Sequence, residues 1–266
     1  MRGIVAIFLF AMLAAAGAES AGYAAYEKAN ALFAAKKFQE SAAAVVEALR
    51  LDPDLVPALT LKAKLAMAAI HFAEAREALE HALRVDPKAE YAQFLYGLEA
   101  YLSNDMGQAM ARFRKARQLN AGNARAALYL GLTSEGLGQT EEAMALYREA
   151  VRLEQASGRV DAETLLPGAR LLFLEGRLAE SESWTRRALQ AAPQLRDAHF
   201  ELARLLLKKG DAAGAVREGE AALQLAGVNV TDAQIHYLMI RAWRENGSPE
   251  KAARHAELLR SLEAGR

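Results

Sequence analysis

Apolar positions in this chain recur three and four residues apart, in stretches broken by short polar turns. The C-terminal stretch PEKAARHAELLRSLEAGR places Ala252, Ala256, Leu259 and Leu262 on one side of a helix and Lys251, Arg254, Glu257 and Glu263 on the other. EEAMALYREAVRLEQ, from Glu141 to Gln155, shows the same division, with acidic and basic residues three and four apart on its polar side. These stretches repeat. Phe38–Asp54 reads FQESAAAVVEALRLDPD, and 34 residues later Phe72–Lys88 reads FAEAREALEHALRVDPK.

Sliding the chain against itself by that step brings Pro53 onto Pro87 and Ala48 onto Ala82, Ala116 and Ala150. A four-residue slip at Gly158–Asp161 and a three-residue slip at Val230–Asp232 interrupt the register, and the Ala slot continues at Ala188 and Ala222. Units therefore begin near Gly22, Val56, Glu90, Ala124, Ala162, Arg196 and Ala233. Each holds two helical stretches and one turn. Asn104, Gly138, Gly176, Gly210 and Gly247 mark that turn, because Gly and Asn tolerate the left-handed conformation that closes a helix. Asp-Pro closes the second helix, since a residue before Pro avoids helical geometry. Asn123, Asp161 and Thr231 stand where the next helix needs an N-cap, with Gln234 completing a capping-box spacing. One slot of the first helix is small in the first six copies (Ala29, Ala63, Gly97, Gly131, Ala169, Ala203), and one of the second is small in all seven (Ser41, Ala75, Ala109, Ala143, Ser181, Ala215, Ala252). Antiparallel helices approach closely only across small residues. Leu79, Leu130, Leu202, Phe113 and Tyr147 are predicted to fill the space around them.

The 34-residue unit, the small residue of its first helix, the Ala of its second and the terminal Pro resemble the tetratricopeptide repeat (TPR). The clearest copies are YAQFLYGLEAYLSNDMGQAMARFRKARQLNAGN and ARAALYLGLTSEGLGQTEEAMALYREAVRLEQ. The family's Trp near the start of the unit is replaced by Leu59, Ala127, Leu165 or His199. The resemblance implies an all-α, right-handed α-solenoid of about seven stacked helix-turn-helix repeats, near 22–55, 56–89, 90–123, 124–157, 162–195, 196–229 and 233–266. One hairpin cannot bury its apolar face alone, and stacking adds stability copy by copy.

The first twenty residues, MRGIVAIFLFAMLAAAGAES, break the pattern. Arg2 precedes an apolar run from Ile4 to Ala16, and Ala16-Gly17-Ala18 is a small-residue cleavage site. This is the anatomy of a signal peptide, residues 1–18, ahead of a solenoid at 19–266; the run is too short to span a bilayer. The expected location is periplasmic or secreted, with no stable membrane span after cleavage. Only Glu19 to Ala21 would then precede the first repeat, leaving its outer face open to self-association.

Composition narrows function by exclusion. Hydrophobic residues make up 53% but aromatics only 7%, the excess being Ala and Leu, which are strong helix formers. Thirty-three basic residues balance 33 acidic ones, which gives no basic footprint for nucleic acid. Cysteine is absent, which excludes disulfides, thiolate metal sites and Cys nucleophiles. There is no phosphate loop, no GxSxG and no HExxH, and His71, His81, His199, His236 and His255 are scattered along the chain. The Asn229 sequon matters only in a host that glycosylates. No enzyme activity, cofactor or metal is expected.

In the resembled family the first helices line a groove that holds peptide segments. Carried over by repeat register, the groove-facing residues are Tyr23, Tyr26, Asn30, Phe33, Thr60, Lys64, Met67, Tyr91, Phe94, Leu98 and Tyr101 in the first three copies. In the last four they are Arg125, Leu128, Leu132, Arg170, Phe173, Phe200, Arg204, Tyr237, Arg241 and Arg244. The N-terminal half is aromatic. The C-terminal half repeats arginine at one slot (Arg170, Arg204, Arg241), which Lys64 holds in copy two. Aromatic and Arg side chains dominate binding hot spots, and Arg pairs with carboxylate or phosphate. The expectation is an interaction scaffold for a protein or peptide segment with apolar anchors and an acidic part. Binding of an envelope polysaccharide or another polyanion is the alternative. Packing between repeats for the aromatics, and pairing with Glu163, Asp197 and Glu201 for the arginines, compete with both readings.

Overall fold

The structure, a computed structural model, describes residues 21–158 and 160–264. The expected signal peptide, residues 1–18, lies outside them. The described chain is all-helical and without strands: α1 (21–34), α2 (Phe38–Leu51), α3 (Val56–Ala68), α4 (Phe72–Val85), α5 (Glu90–Leu102), α6 (Met106–Leu119), α7 (Ala124–Gly136), α8 (Thr140–Ala156), α9 (Ala162–Leu174), α10 (Leu178–Ala191), α11 (Arg196–Lys208), α12 (Ala212–Leu223), α13 (Asp232–Glu245) and α14 (Pro249–Ala264). It divides into two compact units, one ending at Leu137 and one beginning at Gly138. Within them, α2 to α7 and α8 to α14 each pack on their chain neighbours, and α3, α5, α9 and α11 also pack on the next odd-numbered helix.

The turn inside each hairpin is a left-handed C-cap. Gly138, Gly176, Gly210 and Gly247 have φ of 75° to 85°. The following amide reaches back five residues, as Asp211 N does to the Leu206 carbonyl at 2.9 Å and Ser248 N to that of Trp243 at 2.9 Å. Asn104 holds this conformation in the third copy, and in the first two copies Lys36 and Ile70 do, at φ 59° and 62°. The turn between hairpins is built by a side chain. Asp52 Oδ1 accepts from Asp54 N at 3.1 Å, Asp86 Oδ1 from Lys88 N at 2.8 Å, and Asn120 Oδ1 from Gly122 N at 3.0 Å. The Asp of Asp-Pro thus closes an Asx turn around the proline. Asn123 and Asp161 cap α7 and α9, and Thr231 with Gln234 forms a capping box on α13. Asp105 and Asp211 cap α6 and α12 in the same manner.

The small slots are the helix-crossing points. Ala29, Ala63, Ala203, Ala75, Ala109, Ala143 and Ala215 are inaccessible to solvent, as are Ala48, Ala82, Ala116, Ala150, Ala188 and Ala222. Where the second slot is Ser, its hydroxyl donates to the carbonyl of the partner slot: Ser41 Oγ to Ala29 and Ser181 Oγ to Ala169, both at 2.8 Å. Gly97 lies against the buried Phe113 ring, and a Cβ there would come within 2.6 Å of it. Pro167 sits inside α9, with Gly168 beside it covered by Trp184.

Two polar clusters tie neighbouring helices. Glu99, fully buried in α5, accepts from Arg76 of α4 at 3.0 and 3.2 Å and from Ser103 Oγ at 2.9 Å. Without those donors it would be an isolated buried charge. In the C-terminal unit, buried Arg196 donates to the Leu225 carbonyl and to Asp232, which clips the α12–α13 connection onto α11.

Candidate binding site

The first helices of the N-terminal unit enclose an open recess of about 340 Å³. Phe33 comes from α1, Lys64 and Met67 from α3, Tyr91, Phe94 and Leu98 from α5, and Arg125 from α7. The Lys64 ammonium stands 4.2 Å from the centre of the Phe33 ring, and the Arg125 guanidinium 5.4 Å from that of Phe94. Tyr91 stacks on Phe94 with centroids 6.3 Å apart. Among the described residues neither Lys64 nor Arg125 has an ion-pairing carboxylate. Burial, and then the charge of Arg125, hold the Lys64 ammonium below its usual range, and burial holds the Tyr91 hydroxyl above its own. Two cations thus face one apolar, half-desolvated space with no counter-charge, an environment that favours an incoming anion.

The remaining predicted residues of this unit have different roles. Phe94 is only 2% exposed. Its ring packs on Phe113 at 5.7 Å and Tyr129 at 5.8 Å, so it forms the recess floor from within the core. Tyr101 joins that network through Tyr129 at 5.9 Å. Thr60 is buried, its hydroxyl donating to the Pro57 carbonyl. Tyr23 packs on Tyr26 at 5.6 Å, and Asn30 is exposed; none of the three lines the recess. Tyr129 was not among the expected residues. It occupies the slot that Leu61 and Leu95 fill in earlier copies, and an aromatic in a leucine slot was the signal available.

The C-terminal unit has a recess of about 210 Å³ lined by Phe173 of α9, Phe200, Arg204, Leu207 and Lys208 of α11, and Gln234, Tyr237, Leu238 and Arg241 of α13. Arg204 lies over Phe173 at 4.7 Å and Phe200 at 5.8 Å. Its Nη1 donates to Glu201 at 2.8 Å, and Arg241 Nε donates to Glu245 at 2.7 Å. Burial raises the Glu201 carboxyl above the usual range, while Arg204 and Arg170 pull it down. Two rungs of the arginine ladder are therefore neutralised within their own helices. Asp197, expected beside them, instead accepts from Asn229. Arg170 and Arg244 are exposed and line neither recess. Among the described residues, the pair of cations over aromatic rings without a counter-charge is Lys64 with Arg125 in the N-terminal unit, both expected in the groove, rather than the arginine ladder of the C-terminal half.

Two of the histidines scattered in sequence meet in space: His236 of α13 and His255 of α14 approach with Nδ1 atoms 2.9 Å apart. No group of three or more His, Cys, Asp or Glu able to hold a metal occurs among the described residues. No described helix is long and apolar enough to cross a membrane.

Paired helices at a 34-residue period, small residues at each crossing and a recess on the first-helix face define an α-solenoid of helix hairpins. Residues 60–124 and 98–159 match a sequence model of the tetratricopeptide repeat. Residues 60–159 therefore carry tetratricopeptide repeats. No curated protein sequence matches it. Among solved structures it is similar to PilW, a widely conserved type IV pilus biogenesis factor, with TM-score 0.69 and 21% identity over 78% of this chain and 93% of that one. It is also similar to Pseudomonas aeruginosa PilF (TM-score 0.53, 19% identity, 94% and 95% covered). YrrB, a TPR protein with an unusual peptide-binding site, matches with TM-score 0.56 and 20% identity over 77% and 99%. At these identities the similarity is one of fold.

Proposed function

We propose that this protein is a non-catalytic scaffold that holds a segment of a partner protein in the N-terminal recess, with a carboxylate of that segment against Lys64 and Arg125 and an apolar anchor between Phe33, Met67 and Tyr91. The observation that carries the reading is that, among the described residues, those two cations have no counter-charge beside exposed apolar surface. Desolvated charge of one sign selects the opposite sign, and aromatic neighbours supply contact area. The signal-like segment 1–18 supports work outside the cytoplasm, in the periplasm or beyond. Similarity in fold to a type IV pilus biogenesis factor and to a TPR protein with a peptide-binding site agrees with a scaffold role.

An array of short peptides pairing Asp or Glu with Phe or Leu, read by fluorescence anisotropy on the full chain, tests this. Charge reversal by Lys64→Glu with Arg125→Glu should weaken the best peptide about tenfold or more, the loss expected when charge-assisted contacts are broken. Arg241→Glu should change it little. Equal loss in both variants would sink the assignment. A polyanionic glycan is the second reading, favoured by the rings beside the cations. It predicts binding that falls steeply with salt and ignores peptide sequence.

A further inference from the structure

The two recesses are built from the same repeat slots. Lys64 follows Phe33 by 31 residues, and Arg204 follows Phe173 by the same 31. In each case the cation sits over the ring, at 4.2 and 4.7 Å. An aromatic from the next copy, Phe94 or Tyr237, completes the lining. Elsewhere those two slots read Met67–Leu98, Tyr101–Leu132, Glu135–Arg170 and Leu207–Arg241, so the Phe–cation pair is written twice, once in each unit. The charge around the two pairs differs. Among the described residues Lys64 and Arg125 lack a carboxylate, whereas Arg204 and Arg241 each carry one at hydrogen-bond distance, leaving Lys208 at the exposed end of α11.

We propose that the C-terminal recess is a second anchor site of the same design but opposite selectivity, taking an uncharged aromatic or aliphatic side chain of a partner segment. Its volume, about 210 Å³, lies below the ~300 Å³ at which small-molecule pockets begin, and suits one side chain. Arg204 and Arg241 already have their counter-ions, so an incoming carboxylate facing them would lose water and displace Glu201 or Glu245 for no net pairing, and Lys208 stands at the exposed end of α11, where solvent screens its charge. An apolar group gains contact with Phe173, Leu207 and Leu238 at no such cost. Tyr237, 74% exposed at the rim, closes over it as an amphipathic contact. The proposal rests on reading the N-terminal recess as an anchor site, and the two are tested by separate reporters.

The experiment is methyl NMR of the full chain labelled at Leu and Met, titrated with N-acetylphenylalaninamide and with N-acetylphenylalanine. Leu207 and Leu238 report the C-terminal recess, Met67 and Leu98 the N-terminal one. The neutral amide should shift Leu207 and Leu238, and the carboxylate should bind there more weakly than the amide while moving Met67 and Leu98. Freeing the arginines by Glu201→Gln with Glu245→Gln should raise carboxylate affinity at Leu207 and Leu238 about two- to fivefold and leave Met67 unchanged. Leu207 and Leu238 unmoved by the amide in the wild-type chain would overturn the proposal, as would a carboxylate that binds them as tightly as the amide does. Shifts at Leu207 and Leu238 with none at Met67 and Leu98 from either probe would uphold it and sink the N-terminal reading instead.

Discussion

At the scale of single residues, the turn slot shows how backbone and side chain can disagree. Gly at four copies takes φ near 80° without strain, but Ile70 takes 62° with a β-branched side chain and is 73% exposed. The left-handed conformation costs a non-Gly residue roughly 1–2 kcal/mol, and no burial at this position offsets that. Ile70→Gly adds unfolded-chain entropy, a smaller opposing effect. The variant should therefore be more stable by about 0.5–1 kcal/mol, read as a higher urea midpoint. A lower midpoint would mean that the Ile70 side chain makes contacts that outweigh its strain. Gly138, Gly176, Gly210, Gly247 and Asn104 could be read as turns from their own letters. Lys36 and Ile70 could not, since neither favours this conformation and only their place in the period requires it. The binding residues divide in the same way. Phe33, Lys64, Met67, Tyr91 and Arg125 could be named from register. That Arg204 and Arg241 are paired inside their own helices depends on rotamers that spacing alone does not specify.

Among the helices, hairpin packing was legible because it rests on residue size. Ala at one slot in six copies has no other physical use, and all six are sealed from solvent. The polar ties between helices were not legible. Glu99 reads as one more surface carboxylate until α4 brings Arg76 to it. His236 and His255 read as isolated until α13 and α14 pair. Their contact carries a pH prediction. Burial first holds both imidazoles below the usual range; Asp232 pulls His236 back up, Arg196 pushes it down, and His236 and Arg254 push His255 further down. The folded chain therefore keeps them neutral, while the unfolded chain takes up protons near the ordinary value of about 6.5. Stability should fall as pH drops through about 6.5 and level off below the lowered folded values. Denaturation at pH 7.5 and 5.5 tests this: the wild-type chain should lose more stability than His255→Gln. An equal loss in both would remove the pair from the account.

For the whole molecule, a repeat array passes stability only between neighbours, so damage in one unit need not reach the other at once. Both tryptophans, Trp184 and Trp243, lie in the C-terminal unit, and Phe113 is fully buried in the N-terminal one. Phe113→Ala removes a core ring at a cost of about 3–5 kcal/mol. Helicity by circular dichroism should then be lost at lower denaturant than tryptophan fluorescence, which should keep nearly the wild-type midpoint. Coincident transitions would show that the array unfolds as one cooperative body. The sequence by itself determined the fold class, the hairpin turns and the crossing residues. Each is a local demand, of size or of φ, that repeats at a fixed period and so stands out from the background. Only the tertiary structure decided which cations keep their charge available, because an ion pair depends on where each rotamer ends and which helix lies opposite. It placed Phe94 in the core floor and paired Arg204 with Glu201. It also left Lys64 and Arg125 facing apolar rings without a counter-charge, and the proposed site rests on that arrangement.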